Sequence, residues 1–173
     1  QVELAVSGST EGPQNNPAPS TEDPSTAPRY VGRVDARYTF ASFIQGKSNA
    51  QGRAAAEQVA EAPGARFNPL LIYGESGLGK THLMHAIGNF VIDRNPAARV
   101  LYVGAEKFVR DMISAIRGGT TETFKENYRS VDALLIDDIH FLVGKAGSQE
   151  EFFHTFNELL DGRQQMVMTC DRY

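Results

Sequence analysis

The residues Gly74-Glu75-Ser76-Gly77-Leu78-Gly79-Lys80-Thr81 fit a G-x-x-x-x-G-K-[ST] loop. The apolar run Pro69 to Tyr73 leads into it, and a helical stripe of Leu83, Met84, Ile87, Phe90 and Val91 follows. A triphosphate carries dense negative charge, so a loop that receives it must turn backbone amides inward. Gly74, Gly77 and Gly79 permit such backbone angles and a close approach, and the helix N-terminus adds a favourable dipole. Lys80 is then placed to reach the β- and γ-phosphates, and the Thr81 hydroxyl to ligate a bridging magnesium ion. An ordinary glycine-rich turn is the alternative; placement between strand and helix favours ATP or ADP with Mg2+.

A second group is Ala133-Leu134-Leu135-Ile136-Asp137-Asp138, an apolar strand ending in paired carboxylates. In a parallel sheet that end of a strand is the ligand-binding edge. Asp137 is expected to hold magnesium, and Asp138 to orient and polarise the attacking water. Adjacent acids can also simply end a strand at solvent, but after a phosphate loop the metal and water site is the better reading. Lys80 and Asp138 are therefore the candidate catalytic residues, and Thr81 and Asp137 the candidate metal ligands. Asp171 follows the last expected strand and either senses the γ-phosphate or forms a turn. His82, His85, His140 and His154 lack metal-ligand companions at the right spacing, which points to packing or surface roles. Lys107, Arg110, Arg117, Lys125 and Arg129, interleaved with acids, read as a solvated helical face.

The elements that must position these groups alternate. Strands are expected over Pro69 to Tyr73, Val100 to Val103, Ala133 to Ile136 and Gln165 to Thr169. Helices are expected from a Ser48 or Asn49 cap to Ala62, then over Lys80 to Asp93, Ala105 to Ile116, Glu122 to Tyr128 and Gln149 to Leu160. Ser148 and Glu151 have capping-box spacing, and Phe152, Phe153, Phe156, Leu159 and Leu160 form an apolar stripe. This alternation implies an α/β fold, a parallel sheet with helices on its faces. Residues 1–35, rich in Ser, Thr, Pro, Gly and Asn, read as a flexible linker or tail that something preceded, leaving 36–173 as the folded domain. A length of 173 residues suits one core. A net charge of -4 argues against coating nucleic acid, so any DNA contact must be local. With the single cysteine Cys170, no charged-then-apolar leader and no membrane-length apolar run, a cytoplasmic protein is expected.

From Tyr38 onward, about four-fifths of the chain, the sequence resembles the DnaA family of bacterial chromosomal replication initiators. The resemblance rests on Tyr38-Thr39-Phe40, Gly46-Lys47-Ser48-Asn49, Asn68-Pro69-Leu70, the loop and Thr81-His82-Leu83-Met84-His85-Ala86. It continues through Leu134 to Ile139, Gln149-Glu150-Glu151-Phe152-Phe153-His154-Thr155-Phe156-Asn157 and Asp171-Arg172. It implies a P-loop ATPase of AAA+ type that switches between ATP and ADP states, assembles into an oligomer at the origin and opens the duplex. It adds Ile44, Asn49 and His82 to Gly74, Gly77, Gly79, Lys80, Thr81 and Asp171 as nucleotide-site residues. It also makes the helix pair Ala105 to Tyr128 a single-stranded DNA element with Ile113 at the apolar contact. Gly147, two positions after Lys145, replaces a basic residue common in relatives. The resemblance further implies that the fold is incomplete at Tyr173. A last strand beside that of the phosphate loop, an arginine finger, a helical lid and a C-terminal domain for duplex origin DNA are expected beyond it. Replicative helicase machinery and acidic phospholipids are implied partners. A helicase loader or another P-loop ATPase is the alternative; a small-molecule kinase, a different class, needs an Arg-rich lid that does not follow the phosphate-loop helix, and a nucleotide-binding module without hydrolysis is the non-enzymatic reading.

Overall fold

The structure, a computed structural model, describes residues 32–142 and 150–171. Four parallel strands, β1 (Leu70–Tyr73), β2 (Val100–Gly104), β3 (Ala133–Asp137) and β4 (Gln165–Cys170), lie in the order β1-β4-β3-β2. Five α-helices are described: α1 (Ala50–Glu61), α2 (Lys80–Arg94), α3 (Ala105–Gly118), α4 (Thr121–Arg129) and α5 (Glu150–Leu160). A 3-10 turn, Ile139–Leu142, which sequence periodicity does not reveal, follows β3.

The strand order explains the patterning. β3 lies between β2 and β4 and is buried along its whole length, so its residues form a continuous apolar run. Leu134, Leu135 and Ile136 are fully buried, each worth about 1.5–3 kcal/mol of transfer free energy. β1 ends the described sheet and alternates: Leu70 and Ile72 point inward, while Leu71 and Tyr73 are exposed. The α1 and α2 side chains, including Val59, Leu83 and Ile87, cover one face with Ile72, Leu135 and Val167. Phe108, Met112, Phe124, Tyr128 and Leu159 from α3, α4 and α5 cover the other with Leu134 and Met166.

Several local expectations change. Asn49 is the N-cap of α1 but makes no side-chain cap. Its Oδ1 instead accepts from Gly46 N at 2.7 Å, and its Nδ2 donates to the Ile44 carbonyl at 3.1 Å, so the amide stitches the preceding turn. Burial on α2 runs unbroken from Leu83 to Gly88 rather than following one stripe, because residues 32–43 pack along its second flank. Gly88 makes room for that segment: a Cβ there would lie 2.5 Å from Val34 Cγ1. The last residues of the segment read as linker take part. Gly32 forms an antiparallel bridge with Tyr102, and Asp35 N donates to His85 Nδ1 at 3.2 Å. Lys125 is not on a solvated face: it is buried, with Nζ 2.6 Å from Glu158 and 2.5 Å from Glu122, because α5 crosses α4 there. The proposed Ser148 cap, Lys145, Gly147 and Arg172 lie outside the described residues, as do the side chains of Glu151, Phe152 and Phe153. Among the described residues, no helix is long and apolar enough to cross a membrane.

Candidate functional site

The phosphate loop leaves β1 at Gly74, whose N–H still donates to the Cys170 carbonyl at 3.3 Å. Gly77 and Gly79 both lie in the left-handed region, at φ +86° and +87°. A Cβ on Gly79 would meet Phe43 Cε2 at 2.6 Å, so angle and space both require glycine, whereas a Cβ on Gly77 would meet open space. Gly79 is the N-cap of α2 and supplies no side-chain cap, leaving the first amides of that helix without an intrahelical acceptor. A turn of left-handed glycines beside open space, ending in uncapped amides, fits an anionic phosphate. Lys80 completes it. Its side chain is only 8% exposed, and Nζ sits 2.7 Å from the Glu75 carbonyl and 2.8 Å from Asp171 Oδ1. Asp171 is thus brought against the loop lysine from the end of β4.

Asp137 is buried beneath this loop and receives three hydroxyls. Thr81 Oγ1 lies 3.2 Å from each carboxylate oxygen, Tyr102 OH donates to Oδ2 at 2.9 Å, and Thr169 Oγ1 donates to Oδ1. The register causes this convergence: β2 places Gly104 beside Asp137, and β4 places Met168 beside Ile136. Burial, then the neighbouring Asp137 charge, push the Tyr102 phenol above its ordinary range, keeping it a donor. The His85 ring packs on Tyr102 at 4.4 Å, and burial pushes its pKa down. That keeps Nδ1 an acceptor for Asp35 N. A hydroxyl and a carboxylate side by side are the hard oxygen donors that Mg2+ prefers.

Asp138 departs from the strand with φ +65°, an uncommon angle for a residue with a side chain. Its N–H is held by Thr169 Oγ1 at 2.8 Å, so one threonine fixes both acids: it donates to Asp137 and accepts from Asp138. The turn carries the Asp138 carboxylate out of the buried row to 43% side-chain exposure, against His140 Nδ1.

The family described as "Bacterial DnaA ATPAse domain" matches residues 34–173. The chain belongs to this DnaA family. It is similar to domain III of the replication initiation protein DnaA of Thermotoga maritima, with 48% identity and a TM-score of 0.72, over 82% of this chain and 59% of that one. The AMPPCP-bound DnaA of Aquifex aeolicus matches at 39% identity and a TM-score of 0.70, over 81% and 43%. A replication initiator DnaA bound to AMPPCP and single-stranded DNA matches at 40% identity and a TM-score of 0.69, over 80% and 43%. The chain therefore spans 59% or less of the length of each of these structures.

The remaining residues of this DnaA-type domain fall at different distances from the loop. Asn49 lines a cleft of about 320 Å3 together with Ser48, Gly52, Tyr73, Leu78 and Lys80. Its Nδ2 also reaches the Leu78 carbonyl at 3.4 Å, tying the cleft wall to the phosphate loop. Ile44 is 88% exposed and does not line that cleft. His82 Nε2 lies 2.8 Å from the Thr39 carbonyl, and its ring is flanked by Tyr38 and Phe43, so it fastens the preceding segment to α2. Ile113 is half-buried against the α3 and α4 core. His154 lies exposed, 3.6 Å from Glu158, in the surface role expected of it.

Sequence reasoning missed Tyr102, Thr169 and His140. The first two reach Asp137 through strand pairing and leave no local signature. His140 stands two residues from Asp138 and could have been noticed, had the left-handed turn at Asp138 been legible.

Proposed function

We propose that this domain binds ATP with Mg2+ and hydrolyses it as the switch of a chromosomal replication initiator. The observation that carries the nucleotide reading is the meeting of Thr81 with Asp137, 3.2 Å apart, beside Lys80. The glycine turn and the uncapped amides of α2 take the phosphates, and Lys80 exchanges Asp171 for the β- and γ-oxygens. Asp171 then stands where it reports the presence of a γ-phosphate. Thr81 and Asp137 would hold the metal, which when bound would supply charge neutralisation at the terminal phosphates. Tyr102 and Thr169 keep the Asp137 carboxylate aimed at that position. Asp138 orients the attacking water from its half-exposed position directly after Asp137. The Asn49 cleft holds the adenine side, and Ile44, exposed and outside the cleft lining, is the further residue on that side.

Family membership, with AMPPCP and single-stranded DNA bound in similar proteins, supports an initiator rather than a helicase loader. In this reading the intact cytoplasmic protein self-assembles at the origin and offers α3 and α4, with Ile113 at the contact, to single-stranded DNA. It reads duplex DNA through a domain outside this chain. Replicative helicase machinery and acidic phospholipids are its further partners.

The test uses the intact protein and a supercoiled plasmid carrying the origin of its own chromosome, with unpaired thymines read by permanganate. Reactive thymines are expected with ATP and not with ADP. Equal reactivity with ATP, ADP and no protein would overturn the initiator role.

A further inference from the structure

We propose that His140 is a positioning residue for hydrolysis, holding the Asp138 carboxylate in the orientation that presents its second oxygen to the attacking water. The inference rests on the hydrolytic reading of Asp138 given above and adds to it a residue that the phosphate-loop motif and the paired acids do not include.

Four observations converge on it. The backbone of Asp138 is fixed twice, by its left-handed φ of +65° and by the 2.8 Å bond from its N–H to Thr169 Oγ1. Among the described residues, its side chain has no comparable restraint from the core, and it is 43% exposed. Unlike Asp137, which three hydroxyls hold, Asp138 has its carboxylate met through Oδ1 by the Nδ1 of His140. His140 is held by the 3-10 turn Ile139–Leu142, which starts directly after Asp138. A carboxylate only accepts, so Nδ1 carries the proton in this pair.

The consequence is geometric. A half-exposed aspartate samples several rotamers, and a water-orienting group that strays by about 1 Å can lose on the order of 10²-fold in rate. A charge-assisted bond from an imidazole anchored in the adjoining turn selects one rotamer. With Oδ1 occupied, Oδ2 becomes the oxygen offered to water. His140 transfers no proton to substrate in this scheme and touches none of the reacting atoms; it acts through Asp138.

The test is steady-state ATP turnover by the intact protein carrying His140→Ala, His140→Asn, Asp138→Asn, and His140→Ala combined with Asp138→Asn. Nucleotide affinity is measured on each by equilibrium titration. His140→Ala is expected to lower kcat about 10-fold while changing ATP affinity less than about 2-fold. His140→Asn, whose amide can donate from a position near that of Nδ1, should recover most of the loss. In the Asp138→Asn background, His140→Ala should add little, because the group it orients no longer functions. A normal kcat in His140→Ala, an Asn variant as slow as Ala, or a fully additive double variant would each overturn the positioning role. Normal turnover by Asp138→Asn would overturn the reading of Asp138 itself, and this proposal with it.

Discussion

Replacing Lys80 with alanine is expected to cost most of the affinity for ATP while leaving the domain folded. Lys80 Nζ is held between the Glu75 carbonyl and Asp171, close to the phosphate loop and nearly out of solvent. Its charge-assisted bonds to the terminal phosphates are worth roughly 1.5–3 kcal/mol, which corresponds to about a 10- to 100-fold weaker dissociation constant. The fold tolerates the change. Asp171 loses one partner but is 44% exposed, so water reaches the freed oxygen, and neither core cluster includes Lys80. Titration with a fluorescent ATP analogue, alongside far-ultraviolet circular dichroism, checks both parts. Unchanged affinity in a folded variant would remove the lysine from the phosphate site.

Asp138→Asn is expected to bind ATP normally and to turn it over about 10²- to 10⁴-fold more slowly, the usual range for a lost general base. The separation follows from placement. Asp138 is outside the hydroxyl cluster on Asp137, and its amide bond to Thr169 is made by the backbone, which the substitution leaves alone. Asp137→Asn should behave differently. Its carboxylate is the acceptor for Thr81, Thr169 and Tyr102, and an amide can accept through one oxygen only. That variant should need more magnesium for turnover and should also lose stability. A magnesium titration of kcat on both variants distinguishes the roles, and an identical magnesium response would contradict them.

What the sequence displays most clearly is what lies contiguous in it. The loop Gly74 to Thr81, the strand Ala133 to Asp137 and the alternation of strands and helices are local patterns. Each appears in the structure within a residue or two of its expected ends. The parallel sheet followed from that alternation. What stayed hidden depends on pairing. The Tyr102 and Thr169 hydroxyls meet at Asp137 only because β2, β3 and β4 adopt one register, which a single sequence does not specify. Lys125 looks like a surface charge until α5 crosses above it and supplies Glu158. The continuous burial of α2 has the same origin, since its second flank is covered by residues 32–43, a stretch without regular periodicity. The contact between His140 and Asp138 needed a left-handed backbone at an aspartate, a conformation that side-chain patterning does not announce.

The central claim, that Gly74 to Thr81 and Asp137 together form an ATP and magnesium site, is tested most directly by a crystal structure of the domain with a non-hydrolysable ATP analogue and Mg2+. The account predicts the β- and γ-phosphates against the amides of Gly77 to Thr81, with Lys80 Nζ moved from Asp171 to the phosphate oxygens. The metal should lie on Thr81 Oγ1 on the Asp137 side, with the adenine in the cleft beside Asn49. A nucleotide bound elsewhere, or a Lys80–Asp171 pair that persists with no phosphate in the loop, would contradict it.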